Sequence, residues 1–244
     1  MLRSIYNISN SLIPSDEKYY ATHGENPYTI PKTIKQLYFI DYSYDRNDYY
    51  SYYDPNDDSH DYYRIHHKFD MSNLDFSYFS SDQLQSVIIS PGCFEGVNTL
   101  DIDGVPNLEK LEIGDDAFNF AVEDDDYYYY DCMCNSSHFN LSNCPHLKEL
   151  TLHNCSLRSY QTLNLSNLDS LQSIYIGDRC FWMCSLLLGS NEVKMENEIV
   201  DLPSLEEVSI GKQAFYYCHY VEFSSKPRPF FSDYFQLFFY IIAC

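Results

Sequence analysis

The chain has 244 residues, which is enough for one elongated domain with a continuous core. Asp and Glu number 36 against 15 Lys and Arg, so the net charge is −21 at pH 7. Because nucleic-acid backbones and anionic membranes attract cations, this charge argues against both as partners and favours a basic protein partner or a divalent cation.

The N-terminal segment, residues 1–29, contains no apolar run of the length that a secretory signal peptide needs. We therefore expect a cytoplasmic protein, and a cell-surface protein only if the gene model is truncated. Residues 41–70 are a Tyr/Asp-rich insertion. They are interpreted as a solvated loop, and the alternative is a recognition loop for a basic partner.

A repeated apolar ladder begins at Leu84. Its pattern is Leu-x-x-φ-x-φ-Gly-x-x-small-Phe, where φ is aliphatic, and Leu108, Leu111 and Ile113 give one example. The leading leucines stand at positions 84, 108, 147, 171 and 205, which are 24, 39, 24 and 34 residues apart. This spacing predicts stacked repeats, interrupted by a Tyr/Asp-rich insertion at 121–137 and a further insertion at 186–196.

Each repeat contains two alternating segments. The φ-x-φ segment is typical of a half-buried strand, because successive side chains point to opposite faces. A second alternating pair, such as Leu100 and Ile102 around Asp101, precedes the next leading Leu. We expect the Gly to permit the backbone turn after the ladder strand and the Phe to fill the bend.

The repeats resemble the BspA-like branch of the leucine-rich repeat superfamily, whose repeats carry Ile-Gly-x-x-Ala-Phe-x-x-Cys. Residues 176–184 and 210–218 match that form, and residues 30–39 are similar to the related FNIP-type repeat. The resemblance implies a leucine-rich-repeat-like solenoid over residues 30–225. Such a fold is mostly β, with short strands stacked in a curved sheet and irregular or short helical segments on the opposite side.

An apolar C-terminal tail, residues 226–244, follows the repeats. Its continuous apolar run is too short to span a bilayer, which takes about 20 residues. We expect this run, residues 234–244, to pack on the last repeat as a cap or to come from a truncated or misannotated reading frame; the alternative is an interfacial anchor, and no membrane span is predicted.

The resemblance implies interaction and not catalysis. It predicts a non-catalytic protein–protein interaction scaffold that binds through the sheet face or the acidic Tyr/Asp loops; the alternative is a cell-surface adhesin or antigen of the BspA-like type. The outward strand positions are the expected partner-binding residues: Ser86, Ile88, Asp101, Lys110, Glu112, Asn140, Glu149, Thr151, Asn164, Tyr175, Glu207 and Ser209.

No cofactor, metal site or catalytic residue is predicted. Five cysteines occupy repeat positions that small or aliphatic residues fill in other repeats, so their thiols are expected in the core: Cys93, Cys144, Cys180, Cys184 and Cys218. The pair Cys132 and Cys134 is spaced too tightly for a zinc knuckle and has no second pair nearby. Glycosylation sequons such as those at Asn135, Asn140, Asn154 and Asn164 would matter only in a secreted chain.

Overall fold

The computed structural model describes residues 18–22, 30–31, 33–40, 73–76, 83–94, 96–119, 137–182, 197–200, 202–216, 221–224 and 230–231. The predicted insertions at 41–70 and 186–196, nearly all of the insertion at 121–137, and most of the tail lie outside the described residues. The described part is mostly β, and none of its helical turns is long and apolar enough to cross a membrane.

Fourteen short strands lie in the described residues. Their bounds in chain order are β1 Lys18–Thr22, β2 Gln36–Ile40, β3 Asn73–Asp75, β4 Ser86–Ile89, β5 Thr99–Asp103, β6 Lys110–Ile113, β7 His138–Ser142, β8 Glu149–Leu152, β9 Thr162–Ser166, β10 Ser173–Ile176, β11 Asn197–Val200, β12 Glu207–Ile210, β13 Val221–Ser224 and β14 Phe230–Phe231.

The strands form two parallel sheets. The eight-stranded sheet has the order β1-β2-β4-β6-β8-β10-β12-β14, and the six-stranded sheet has the order β13-β11-β9-β7-β5-β3. From β2 onward the chain alternates between the sheets, so neighbouring strands of one sheet are joined through a strand of the other. Their register follows the repeat: Ile174 of β10 lies opposite Leu150 of β8 and Val208 of β12.

The prediction of a mostly β protein with short parallel strands is confirmed. The resemblance also implied irregular or short helical segments opposite the ladder strands. In the described residues, that part of the chain contains the six-stranded sheet and turns, and no α-helix. The difference has a local cause, because alternating pairs such as Leu100 and Ile102 favour an extended backbone over a helical one.

The apolar residues of both sheets meet in one core. In β6, Leu111 and Ile113 are fully buried, whereas Lys110 and Glu112 stay partly exposed, as the period of two requires. Leu100, on the six-stranded sheet, belongs to the same buried cluster. Each such side chain contributes about 1.5–3 kcal/mol when it is buried, so shared burial binds the two sheets together.

A buried Phe fills the bend after the ladder strand in four of the five repeats, as predicted, and Leu157 takes its place in the repeat that begins at Leu147. Phe94 and Phe118 are fully buried, and their rings stack with a centroid distance of 5.1 Å. Phe118 has a φ of 55°, which is unusual for a bulky residue. Its backbone N–H donates to the carbonyl of Cys93 at 2.9 Å, so the preceding repeat holds this conformation in place.

The prediction that the repeat glycine is needed for its backbone conformation in the turn is wrong. The positive φ angles lie elsewhere in the bend, at Asp116 (56°) and Phe118, and not at Gly114. A Cβ on Gly114 would lie 2.5 Å from the backbone nitrogen of Pro91. Glycine is therefore needed because the backbone of the preceding repeat passes too close for any side chain.

The eight-stranded sheet extends past the predicted ladders at both ends. β1 lies in the N-terminal segment and pairs with β2, with Lys18 opposite Gln36. β14 lies in the apolar tail and pairs with β12 through Glu207 and Val208. The apolar run 234–244, which is expected to pack on the last repeat, lies outside the described residues.

Candidate interaction surface

The twelve predicted partner-binding residues divide between the two sheets. Nine lie on the eight-stranded sheet: Ser86, Ile88, Lys110, Glu112, Glu149, Thr151, Tyr175, Glu207 and Ser209. The other three lie on the six-stranded sheet: Asp101, Asn140 and Asn164. Sequence reasoning placed all twelve on outward strand positions, and the structure separates them into two faces with different chemistry.

The nine residues of the eight-stranded sheet fall into two rows in strict register. The first row, together with Ser173 of β10, is Ser86, Lys110, Glu149, Ser173 and Glu207. The second row is Ile88, Glu112, Thr151, Tyr175 and Ser209. Parallel strands are spaced about 4.8 Å apart, so each row crosses five strands and covers about 19 Å.

Four residues that the sequence reading missed continue these rows. Gln36 and Lys18 extend the first row, and Tyr38 and Tyr20 extend the second. The rings of Tyr20 and Tyr38 stack with a centroid distance of 4.8 Å, and the Tyr38 hydroxyl donates to Gln36 Oε1 at 3.1 Å. Aligning the alternating residues 37–39 with residues 87–89 would have identified Gln36 and Tyr38.

A charged cluster occupies the centre of this face. Glu112 accepts a hydrogen bond from Lys110 Nζ at 3.0 Å and contacts His153 Nε2 at 3.1 Å. Burial raises the pKa of Glu112, but the contacts with Lys110 and His153 outweigh it and hold the pKa below its ordinary value. The hydrogen bond to Glu112 in turn raises the pKa of Lys110. The charged groups of Lys110, Glu112 and His153 therefore interact mainly with one another.

The face is more open around Tyr175. This side chain is 41% exposed, and its ring centroid lies 6.3 Å from that of His153. Glu149 and Glu207 are exposed on the neighbouring strands β8 and β12, one on each side of Ser173. With the residues that the structure describes, neither carboxylate forms an ion pair or a side-chain hydrogen bond.

On the six-stranded sheet, the candidate residues bind their own neighbours. Asn164 Nδ2 donates to Asn140 Oδ1 at 3.1 Å, and Asn140 Nδ2 lies 3.5 Å from Ser142 Oγ. Asp101 Oδ1 is 3.4 Å from His138 Nε2. Most of these polar groups therefore bind one another, and Asn164 Oδ1 is buried without a hydrogen-bond partner among the described residues. This face has less accessible hydrogen-bonding capacity left for a partner.

A second polar chain follows the corner after these strands. Asn167 Nδ2 donates to Asn143 Oδ1 at 2.9 Å, and Asn143 Nδ2 donates to Asp103 Oδ1 at 2.7 Å. The same Asp103 oxygen accepts a hydrogen bond of 2.7 Å from the Ser142 hydroxyl. The polar side chains here hold successive repeats in register and have a structural role.

The three described cysteines predicted as core thiols are buried, so that prediction is confirmed for Cys93, Cys144 and Cys180. Burial raises the pKa of Cys144 to about 11 and that of Cys180 to about 12. A thiol with so high a pKa is a poor nucleophile and a poor metal ligand near neutral pH. Cys184 and Cys218, also predicted as core thiols, lie outside the described residues, as does the tight pair Cys132 and Cys134.

The sequons in the described residues are also structural. Asn140 and Asn164 lie within strands, and their side-chain amides are hydrogen-bonded to each other. Asn154 lies in a bend, where its Oδ1 accepts the backbone N–H of Asp178 at 2.9 Å. Asn135 lies outside the described residues. Each described sequon asparagine therefore links one repeat to the next.

No group of three or more His, Cys, Asp or Glu side chains in the described ranges is placed to hold a metal ion. Compared with known proteins, the chain matches no family model, no curated protein and no solved structure. The two rows on the eight-stranded sheet are the candidate surface on geometric grounds alone.

Proposed function

We propose that this protein is a leucine-rich-repeat-like solenoid of the BspA-like type that serves as a non-catalytic protein-interaction scaffold. Three features support the solenoid: the 24-residue repeat, the alternation of the chain between two parallel sheets, and their shared core. Repeats of this kind are marginal alone and become stable by burying their faces against neighbours, which produces long regular surfaces.

In this proposal, the partner binds the exposed face of the eight-stranded sheet. The supporting observation is the contrast between the two faces. Across five strands the eight-stranded sheet presents two unbroken rows, with Tyr175, Glu149 and Glu207 exposed toward solvent. On the six-stranded sheet, Asn140 and Asn164 are bonded to each other. Exposed aromatic residues beside charged ones are typical of interaction surfaces.

Capture of partners by two matched variants tests this proposal. One variant carries Glu112→Lys, Tyr175→Ala and Glu207→Lys on the eight-stranded sheet. The control carries Thr99→Lys, Asp101→Lys and Thr162→Lys on the six-stranded sheet and has the same total change in charge. Circular dichroism and thermal melting first establish that both are folded.

Each variant and the wild type are then used as bait in a lysate of the source cell, and bound proteins are quantified by mass spectrometry. We expect the first variant to lose proteins that the wild type and the control retain. Loss with the control alone would assign binding to the six-stranded sheet. An identical partner profile for all three baits would rule out the sheet faces and shift attention to the Tyr/Asp loops.

A further inference from the structure

Ser173 is a small residue between two longer side chains on the eight-stranded sheet, and this position is called the recess. Ser173 lies in register between Glu149 and Glu207, so the two carboxylates stand on strands about 9.6 Å apart with only a hydroxymethyl group between them. Tyr175 is two residues further along the same strand and projects from the same face. The recess therefore has a carboxylate on two sides and an aromatic ring on a third.

The nearby basic residues of the chain bind other groups. Lys110 is opposite Glu149 in the first row, but its Nζ lies 3.0 Å from Glu112. Lys148 Nζ lies 2.8 Å from Glu109 Oε2. The carboxylates of Glu149 and Glu207 form no ion pair within the described part of the chain, although the charge of Glu149 contributes to the raised pKa of Lys110.

We infer that this recess binds an arginine side chain in a basic, extended segment of the partner protein, an inference that rests on the proposed function. A guanidinium is planar and presents several N–H donors, so it can stack on the Tyr175 ring while it donates to Glu149 and Glu207. A lysine ammonium has the same charge but no planar group that could stack on the Tyr175 ring. Charge complementarity thus selects an arginine-bearing segment over an acidic or apolar one.

A defined probe tests this inference without the native partner. Binding of a short fluorescent peptide of alternating arginine and serine is measured by anisotropy, at low salt and at physiological salt. Peptides with lysine or glutamate in place of arginine serve as probe controls. The protein variants are Glu149→Gln with Glu207→Gln, Tyr175→Leu, and a control, Asp101→Asn with Asp169→Asn, that has the same charge change away from the recess.

We expect the double glutamine variant to weaken arginine-peptide binding by about five- to tenfold, because two exposed charge contacts are removed. Tyr175→Leu should weaken it by about threefold, as expected for one exposed cation–π contact. At physiological salt, where the Debye length is about 8 Å, the Asp101/Asp169 control should stay within about twofold of the wild type because neither carboxylate flanks Ser173 in the first row. The lysine peptide should bind more weakly than the arginine peptide.

Equal weakening by the recess variant and the Asp101/Asp169 control would overturn the inference, since it would show only a general attraction between an acidic protein and a cation. Unchanged binding in the recess variant, or no binding by the wild type, would overturn it as well. Neither result bears on the scaffold proposal, which the capture experiment tests separately. If the sheet face captures a protein partner but does not bind the arginine peptide, the scaffold proposal stands and an arginine-bearing partner segment is excluded.

Discussion

Asn164 and Asn140 face each other across β9 and β7, and the side-chain amide of Asn164 donates to the side-chain oxygen of Asn140 at 3.1 Å. Both residues occupy outward strand positions, where sequence reasoning predicted partner-binding groups. Because the amides bind each other, these residues hold two repeats together. The exposed side of a strand therefore contains two kinds of residue: those whose side chains bind a neighbouring repeat, and those whose side chains remain available to a partner.

The first prediction concerns this amide pair. Asn140→Ala should lower the free energy of unfolding by about 1–2 kcal/mol, because the partly buried Asn164 amide loses its acceptor. Ser86→Ala, on the other sheet, should change it by less than about 0.5 kcal/mol. Urea denaturation followed by circular dichroism measures both. Equal stabilities for the two variants would contradict a structural role for the asparagine pair.

Much of the fold could be predicted from the ladder residues. Leu111 and Ile113 define β6 and its buried face, because strand periodicity fixes which side chains point inward. β1 was not predicted, since Ala21 is the only fully buried residue among those of β1 whose burial is described, and the strand has no aliphatic alternation. The hydrogen bond of Asn140 could not be predicted either. It depends on which side chain lies opposite in register, 24 residues away, and not on the local pattern.

The second prediction separates two reasons for glycine. Gly114→Ala should lower stability by about 1–3 kcal/mol, because the new Cβ would overlap the backbone of Pro91. Gly104 has a φ of 67° with open space around its Cβ direction, and Asn143 occupies the equivalent corner at 54°. Gly104→Asn should therefore change stability by less than about 0.5 kcal/mol, because Asn tolerates the left-handed conformation.

Thermal or urea unfolding of both glycine variants measures the difference. Gly104→Val provides a further control, because a β-branched residue at positive φ should cost about 1–2 kcal/mol even where space is available. A tolerated Gly114→Ala would contradict the close approach of the neighbouring repeat backbone.

The third prediction concerns thiol reactivity. With pKa values of about 11 and 12, Cys144 and Cys180 should be less than about 0.1% thiolate at pH 8, and burial also blocks access. Iodoacetamide should label both at least about a hundredfold more slowly in the native protein than in urea. Peptide mass spectrometry resolves the two sites, and native labelling as fast as in urea would contradict their core position.

The fourth prediction concerns pH. The contacts with Lys110 and His153 lower the pKa of Glu112 below its ordinary value of 4.5, so they stabilise the fold above that pH and are lost as pH falls through the folded-state pKa. Glu112→Gln should reduce stability at pH 7 by less than about 1 kcal/mol, since the pair is partly exposed. The difference from the wild type should shrink below pH 4.5.

Unfolding by urea at pH 7 and pH 4 measures this change. Glu149→Gln is the matched control, because Glu149 forms no ion pair with a described residue, and it should have only a small effect at either pH. A Glu112→Gln effect that grows on acidification would have the wrong sign and would contradict the contribution of the cluster.

The fifth prediction tests the solenoid directly. Deletion of residues 147–170 removes one 24-residue repeat with β8 and β9 and joins His146 to Leu171, which occupies the position of Leu147. β10 would then pair with β6 and β11 with β7, with the inward residues still in register. A solenoid tolerates this change because its stability is a sum over repeats and their interfaces. The shortened protein should fold cooperatively with a lower melting temperature. Deletion of residues 147–158 is the control, because it removes β8 but keeps β9. It should abolish cooperative unfolding, since β9 would then take the place of a ladder strand. Calorimetry of both deletions decides the matter, since equal disruption by the two would contradict a stack of exchangeable repeats.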